Sequence, residues 1–88
     1  MNVRYEASFE KDLRKIRDEN LLQKIKNAIN EVKQAENTKE INNLKKLKGY
    51  ETFYRIKIGD YRIGIEIVQD EIIFTRFLHR KEVYRFFP

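Results

Sequence analysis

The segment Phe53–Val68, FYRIKIGDYRIGIEIV, leaves few folds open to this chain. Apolar and charged residues alternate on both sides of Gly59-Asp60. Alternation is the period of a half-buried strand, and a Gly-X loop is a tight hairpin connection. Pairing through that loop sets Ile58 opposite Tyr61, Lys57 opposite Arg62 and Arg55 opposite Gly64. Successive side chains point to opposite faces. Arg55, Lys57 and Arg62 therefore share one face, and Tyr54, Ile56, Ile58, Tyr61, Ile63, Ile65 and Ile67 share the other. Like charges directly opposite one another destabilise a strand pair. The expected compensation is an anion bound by the three cations together, and a phosphate suits them best.

The rest of the chain supplies layers to cover the apolar face. Asn2–Glu6 reads as a short strand with Val3 and Tyr5 on one face. Ser8 is an expected N-cap, and Phe9, Leu13 and Ile16 recur at helical spacing. Asn20 with Gln23 resembles a capping box and opens a second helix. Its stripe is Leu22, Ile25, Ile29 and Val32, flanked by Leu21 and Ala28. Asn37-Thr38 ends or interrupts that helix, and Ile41, Leu44 and Leu47 suggest a further helical turn before Gly49. Three strands follow, at about Thr52–Ile58, Tyr61–Val68 and Glu71–Leu78, with Gln69-Asp70 as the second turn. The order β-α-α-β-β-β predicts an α+β fold. An N-terminal strand and a helical hairpin pack on one face of a mostly antiparallel sheet of about four strands. The cationic face is expected to stay open.

Length and composition narrow the function. Eighty-eight residues suffice for one domain, 1–88, with one core. There is no Cys, hence no disulfide framework and no thiolate metal site, and the chain can fold in a reducing cytoplasm. No apolar run approaches a membrane span, and MNVRYEASFEKD lacks the apolar core of a signal peptide. The net charge of +5 favours an acidic partner, with nucleic acid among the candidates.

A second informative run is His79-Arg80-Lys81-Glu82-Val83-Tyr84-Arg85. If the last strand pairs with Tyr61–Val68, its end returns to the Gly59-Asp60 turn, and His79 and Arg80 emerge beside Arg62. The chain has no placeable Ser/His/Asp pattern, no Gly-rich phosphate loop and no metal-ligand spacing. What remains is Arg and Lys with one Tyr and one His. That set suits RNA cleavage by the internal 2′-hydroxyl. The RNA supplies the nucleophile, and the protein supplies orientation and charge stabilisation. Tyr84 and His79 are the candidate proton acceptors. No metal or cofactor is needed. Each of these residues also has an ordinary reading: a solvated strand face for Arg55 and Lys57, a packed aromatic for Tyr84, a structural imidazole for His79.

The run LKxLKGYxxxYRIKIGDYRIGIEI, followed by HRKEVYR, resembles the RelE/ParE superfamily of toxins from bacterial and archaeal type II toxin–antitoxin modules. The resemblance spans nearly the whole chain. It implies a ribosome-dependent mRNA endoribonuclease in the cytoplasm, neutralised by a cognate antitoxin, with ribosome and mRNA as its other partners and with no membrane or small-molecule cofactor. It implies catalytic roles for Arg55, Lys57, Arg62, Arg80 and Tyr84: the basic residues contact and stabilise the scissile phosphate, and Tyr84 stacks on a base or helps activate the 2′-hydroxyl. Lys45, Lys46, Lys48, His79, Lys81 and Arg85 are the expected RNA contacts. Arg55 stands where lysine is common in strongly active members, and a guanidinium is the poorer proton donor. Two other readings share the fold: a ParE-like inhibitor of DNA gyrase, and a silenced toxin that acts only through antitoxin binding.

Overall fold

The computed structural model describes all residues, Met1–Pro88. The chain runs β1 (Asn2–Tyr5), α1 (Ala7–Arg14), α2 (Glu19–Gln34), a 3-10 turn (Thr38–Glu40), β2 (Leu44–Lys46), β3 (Phe53–Ile58), β4 (Tyr61–Val68), β5 (Glu71–His79) and α3 (Val83–Phe86). The strands form one sheet in the order β1-β5-β4-β3-β2. The fold is the expected α+β arrangement, with five strands rather than four. β1 pairs parallel to β5 and the other pairs are antiparallel.

The central hairpin has the register its alternation demands: Ile58 faces Tyr61, Lys57 faces Arg62 and Arg55 faces Gly64. Gly59 turns the chain with φ 55. Ile56, Ile58, Ile63 and Ile65 join Phe9, Ile25 and Val32 in the main core, so α1 and α2 cover the apolar face as expected. Tyr5 extends this core, its ring stacked 5.3 Å from Phe74.

β5 departs from strict alternation. A bulge between Gly64 and Ile65 of β4 lets Gly64 face Arg76 while Ile65 faces Phe74, leaving Thr75 as the extra residue. The Thr75 hydroxyl donates to the Gly64 carbonyl at 2.8 Å. A bulge resets which face later residues occupy, and here it keeps both Phe74 and Phe77 in the helix-side core.

Several local expectations are corrected. The predicted helical turn over Ile41–Leu47 is the edge strand β2, with Leu44 opposite Ile56 and Lys45 opposite Arg55. Ile41 and Leu44 pack into the main core, whereas Leu47 belongs to a second cluster, so the three do not form one stripe. Asn43, at φ 64, redirects the chain into this strand. Pairing there satisfies an edge of β3 that a helix would have left bare. The cap of α2 is Asp18, not Asn20; its carboxylate accepts the backbone N–H groups of Asn20 and Leu21 at 2.9 and 3.2 Å. Ser8 is not a cap either. It lies in the first turn of α1, and its hydroxyl donates to the Thr75 carbonyl at 2.6 Å, tying helix to sheet.

The second apolar cluster changes the picture of the open face. Leu47, Val83 and Phe87 are buried together against Phe53 and Leu78. The last residues therefore fold across the sheet on the side away from α1 and α2 and cover part of it. Phe87 lies directly over Gly64: a Cβ added there would come within 2.8 Å of its ring. No helix is long and apolar enough to cross a membrane.

Candidate functional site

The part of the sheet that α3 leaves uncovered is cationic. Its register stacks two like-charge pairs side by side, Lys45 opposite Arg55 and Lys57 opposite Arg62. Residues i and i+2 on a strand share a face about 7 Å apart, so Arg55 and Lys57 join the pairs into one patch. The ion pairs of the protein are Arg4–Glu71, Arg76–Asp12 and Arg80–Asp60. None of the four cations on the two pairs has a carboxylate partner. Arg55 donates to the Asn43 carbonyl at 2.7 Å. Arg62 donates to the Gly59 and Tyr61 carbonyls, both at 2.9 Å. Each of these bonds uses one guanidinium nitrogen, and a guanidinium carries five donors, so both groups keep donors free.

Tyr84 meets this patch from the C-terminal turn. It shares a pocket of about 180 Å³ with Lys45, Lys46, Lys48 and Arg55, over a floor of Leu47. Lys45 and Arg55 share the cationic face by their register, and Tyr84 beside them is 67% exposed. Its outward direction follows from its two buried neighbours. Val83 and Phe87 are anchored in the second cluster, and one helical turn separates them, so Tyr84 between them faces outward.

Arg80 is held at the hairpin end. β5 returns to the β3–β4 turn with His79 opposite Tyr61. The Arg80 N–H donates to the Asp60 carbonyl at 2.7 Å, and its guanidinium lies 3.9 Å from the Asp60 carboxylate. Arg62 bends toward the same turn. The expectation that His79 and Arg80 emerge beside Arg62 holds for the backbone of both. The His79 ring, however, goes to the opposite face, edge-on to Tyr61 at 5.3 Å. Its Nδ1 accepts the Lys81 N–H at 3.2 Å. The alternation that puts Tyr61 on the helix side carries its neighbour His79 there too. Lys81 and Arg85 are exposed on the C-terminal turn, and Arg85 lies over the Phe86 ring at 5.4 Å.

The sequence reading missed several supporting residues. Asn43 accepts from both the Arg55 side chain and the Lys57 backbone. Asp60 steers Arg80. Gly64 admits Phe87 and so seats the turn that bears Tyr84. Gly64 did carry a signal, because a lone Gly inside a strand marks a bulge or a close approach, and both occur here. Asp12 and Arg76 carried none. They form an ion pair at 2.8 Å, and Asp12 also accepts the Phe77 backbone N–H at 2.9 Å. The side-chain hydrogen bond from Arg76 to Asp12 raises the Arg76 pKa, against an opposing effect of burial. No cluster of His, Asp or Glu has the geometry to hold a metal ion.

The relatives of this chain agree with its fold. Residues 3–84 match the family described as the ParE toxin of the type II toxin–antitoxin system parDE. Toxin RelE3 of Methanocaldococcus jannaschii is 42% identical over 89 aligned positions that cover 100% of both chains. Among solved structures, the RelB–RelE antitoxin–toxin complex from Methanococcus jannaschii superposes with a TM-score of 0.79 at 39% identity, over 97% of this chain and 99% of that one. The archaeal RelE–RelB complex from Pyrococcus horikoshii OT3 matches with a TM-score of 0.72 over 90% of this chain and 93% of that one. Its 18% identity makes that a likeness of fold. The chain belongs to the RelE/ParE family of type II toxin–antitoxin toxins.

Proposed function

We propose that this toxin stops translation by cutting mRNA on the ribosome, and that residues 1–88 act as one domain. The carrying observation is the pair of adjacent like-charge cross-strand contacts, Lys45–Arg55 and Lys57–Arg62, beside the exposed Tyr84 phenol. Such a patch costs stability unless it binds an anion, and a phosphodiester fits its size and charge. Charge developing on the non-bridging oxygens during cleavage is stabilised by Arg55, Lys57 and Arg62, with Arg80 at the edge. The 2′-oxygen attacks the adjacent phosphorus, the 5′-oxygen leaves, and a cyclic phosphate results. Tyr84 is the better candidate to handle the nucleophile's proton. It shares a pocket with Arg55, whereas the His79 ring faces the helices. Lys46, Lys48, Lys81 and Arg85 add phosphate contacts with the ribosome or the message.

A cognate antitoxin is the expected partner, since the solved relatives include antitoxin–toxin complexes. The site of action on this reading is the cytoplasm, where ribosomes and message meet. The test is a cell-free translation reaction with a defined mRNA, with RNA ends mapped by primer extension. Cuts are expected at codon-phased positions, and only while ribosomes translate. Arg62→Ala and Tyr84→Phe should each abolish the cuts while leaving the circular dichroism spectrum unchanged. Cleavage at the wild-type rate by both variants would sink this assignment.

The family description favours a second reading, inhibition of DNA gyrase in the manner of a ParE toxin. Induction in cells separates the two: DNA damage and filaments mark a gyrase poison, and an immediate stop in translation marks a nuclease. A harmless induction without antitoxin would identify a silenced toxin.

A further inference from the structure

The cationic pocket at Tyr84 has an aromatic neighbour. Leu47, Lys48 and Tyr84 form a common wall, and on its other side lies a pocket of about 230 Å³ closed by Tyr50, Phe87 and Pro88. One pocket is built of positive charge and the other of aromatic rings. Tyr50 is 47% exposed and lines this space, with its ring held by neighbours. Phe53 meets it edge-on at 5.8 Å, and Phe87 in turn meets Phe53 edge-on at 5.5 Å. This line of rings continues to Gly64, where Phe87 is seated.

Local backbone chemistry puts Tyr50 there. The Tyr50 N–H donates to the Leu47 carbonyl at 3.2 Å, closing a turn over Leu47–Tyr50. Gly49 holds the third position of that turn at φ 86, a conformation that glycine adopts without a steric penalty. The turn brings Tyr50 back to the segment bearing Tyr84, with Lys48 between the two. Exposed aromatic rings beside a positive groove are how proteins hold single-stranded nucleic acid, because every base has a face to stack.

We propose that Tyr50 and Tyr84 flank a base-stacking subsite, and that Lys48 links it to the phosphate pocket of Lys45 and Arg55. The ligand is one nucleotide of single-stranded RNA, its phosphate in the cationic pocket and the adjoining base in the aromatic one. This inference rests on the RNA-cleaving reading of the same patch, and it adds Tyr50 as a binding residue that takes no part in the chemistry.

The test uses the full chain and two uncleavable probes: a single-stranded 2′-O-methyl hexanucleotide of mixed sequence, and an abasic hexamer of the same charge. Affinities are measured by fluorescence anisotropy of an end-labelled probe. The wild type should prefer the base-bearing probe by roughly tenfold, the order expected for one stacked base. Tyr50→Ala should erase the preference while its affinity for the abasic probe stays the same. Tyr50→Phe should keep the preference, since the ring is retained. Arg55→Ala should weaken both probes alike. A wild type that does not distinguish the probes, or a Tyr50→Ala protein that distinguishes them as well as the wild type, overturns the subsite. The translation assay is independent of this readout. Absence of cleavage there together with a Tyr50-dependent preference would remove the nuclease and keep the subsite.

Discussion

Lys57 sits opposite Arg62 with no carboxylate between them, and that one contact sets stability against function. Lys57→Glu turns a repulsive pair into an attractive one. Unfolding in urea should show a gain of about 0.2–1 kcal/mol, whereas ribosome-dependent cleavage should fall sharply. A variant that is both less stable and fully active would mean the patch is a solvated face and nothing more. Gly64 makes the opposite case, since Gly64→Ala puts a methyl group 2.8 Å from the Phe87 ring. Overpacking of this kind costs about 1–3 kcal/mol, and Phe87→Leu in the same chain should recover part of it. At this scale the sequence was informative wherever strand alternation settles a side chain's direction. Arg55, Lys57 and Arg62 fall where the hairpin puts them. His79 does not: its backbone reaches the turn, but its place opposite Tyr61 carries its ring to the helix side.

Among the elements, α1 and β5 meet through a buried carboxylate. β1 covers β5 only from Glu71 to Phe74, so the later residues form a sheet edge. Asp12 of α1 closes that edge by accepting the Phe77 N–H and the Arg76 guanidinium. Asp12 is only 7% exposed, and Asp12→Ala leaves both donors without their partner. The expected loss is about 2–4 kcal/mol, with faster hydrogen exchange at the Phe77 amide as its local signature. No loss of protection there would argue against the cap. The raised Arg76 pKa adds stability that is present below the ordinary arginine value and lost only as pH climbs through the raised one. That window lies far above neutrality, so this guanidinium contributes no pH dependence near pH 7. Elements with a strong period were readable: the stripe Leu22, Ile25, Ile29 and Val32 is the buried side of α2. β2 was not, because Ile41, Leu44 and Leu47 mimic a helical spacing while serving two different clusters.

The whole molecule carries a net charge of +5, and its sheet concentrates part of that charge away from the helices. Binding to phosphate chains should therefore weaken steeply with salt, as condensed counterions are released from the RNA. Removing one phosphate contact, as in Arg55→Ala, should lower the slope of log affinity against log salt by about one. Titrations at several salt concentrations check this, and an unchanged slope would take Arg55 out of the phosphate site. The sequence by itself determined the hairpin register, the helical cover, the α+β class and the toxin family, because these follow from local periodicity, turn chemistry and motif. Only the tertiary structure decided that residues 83–87 fold back over Gly64 and bring Tyr84 to Arg55 and Lys48. Contacts between segments some twenty to forty positions apart depend on which surfaces remain free once the core has formed. No local pattern along the chain encodes that choice.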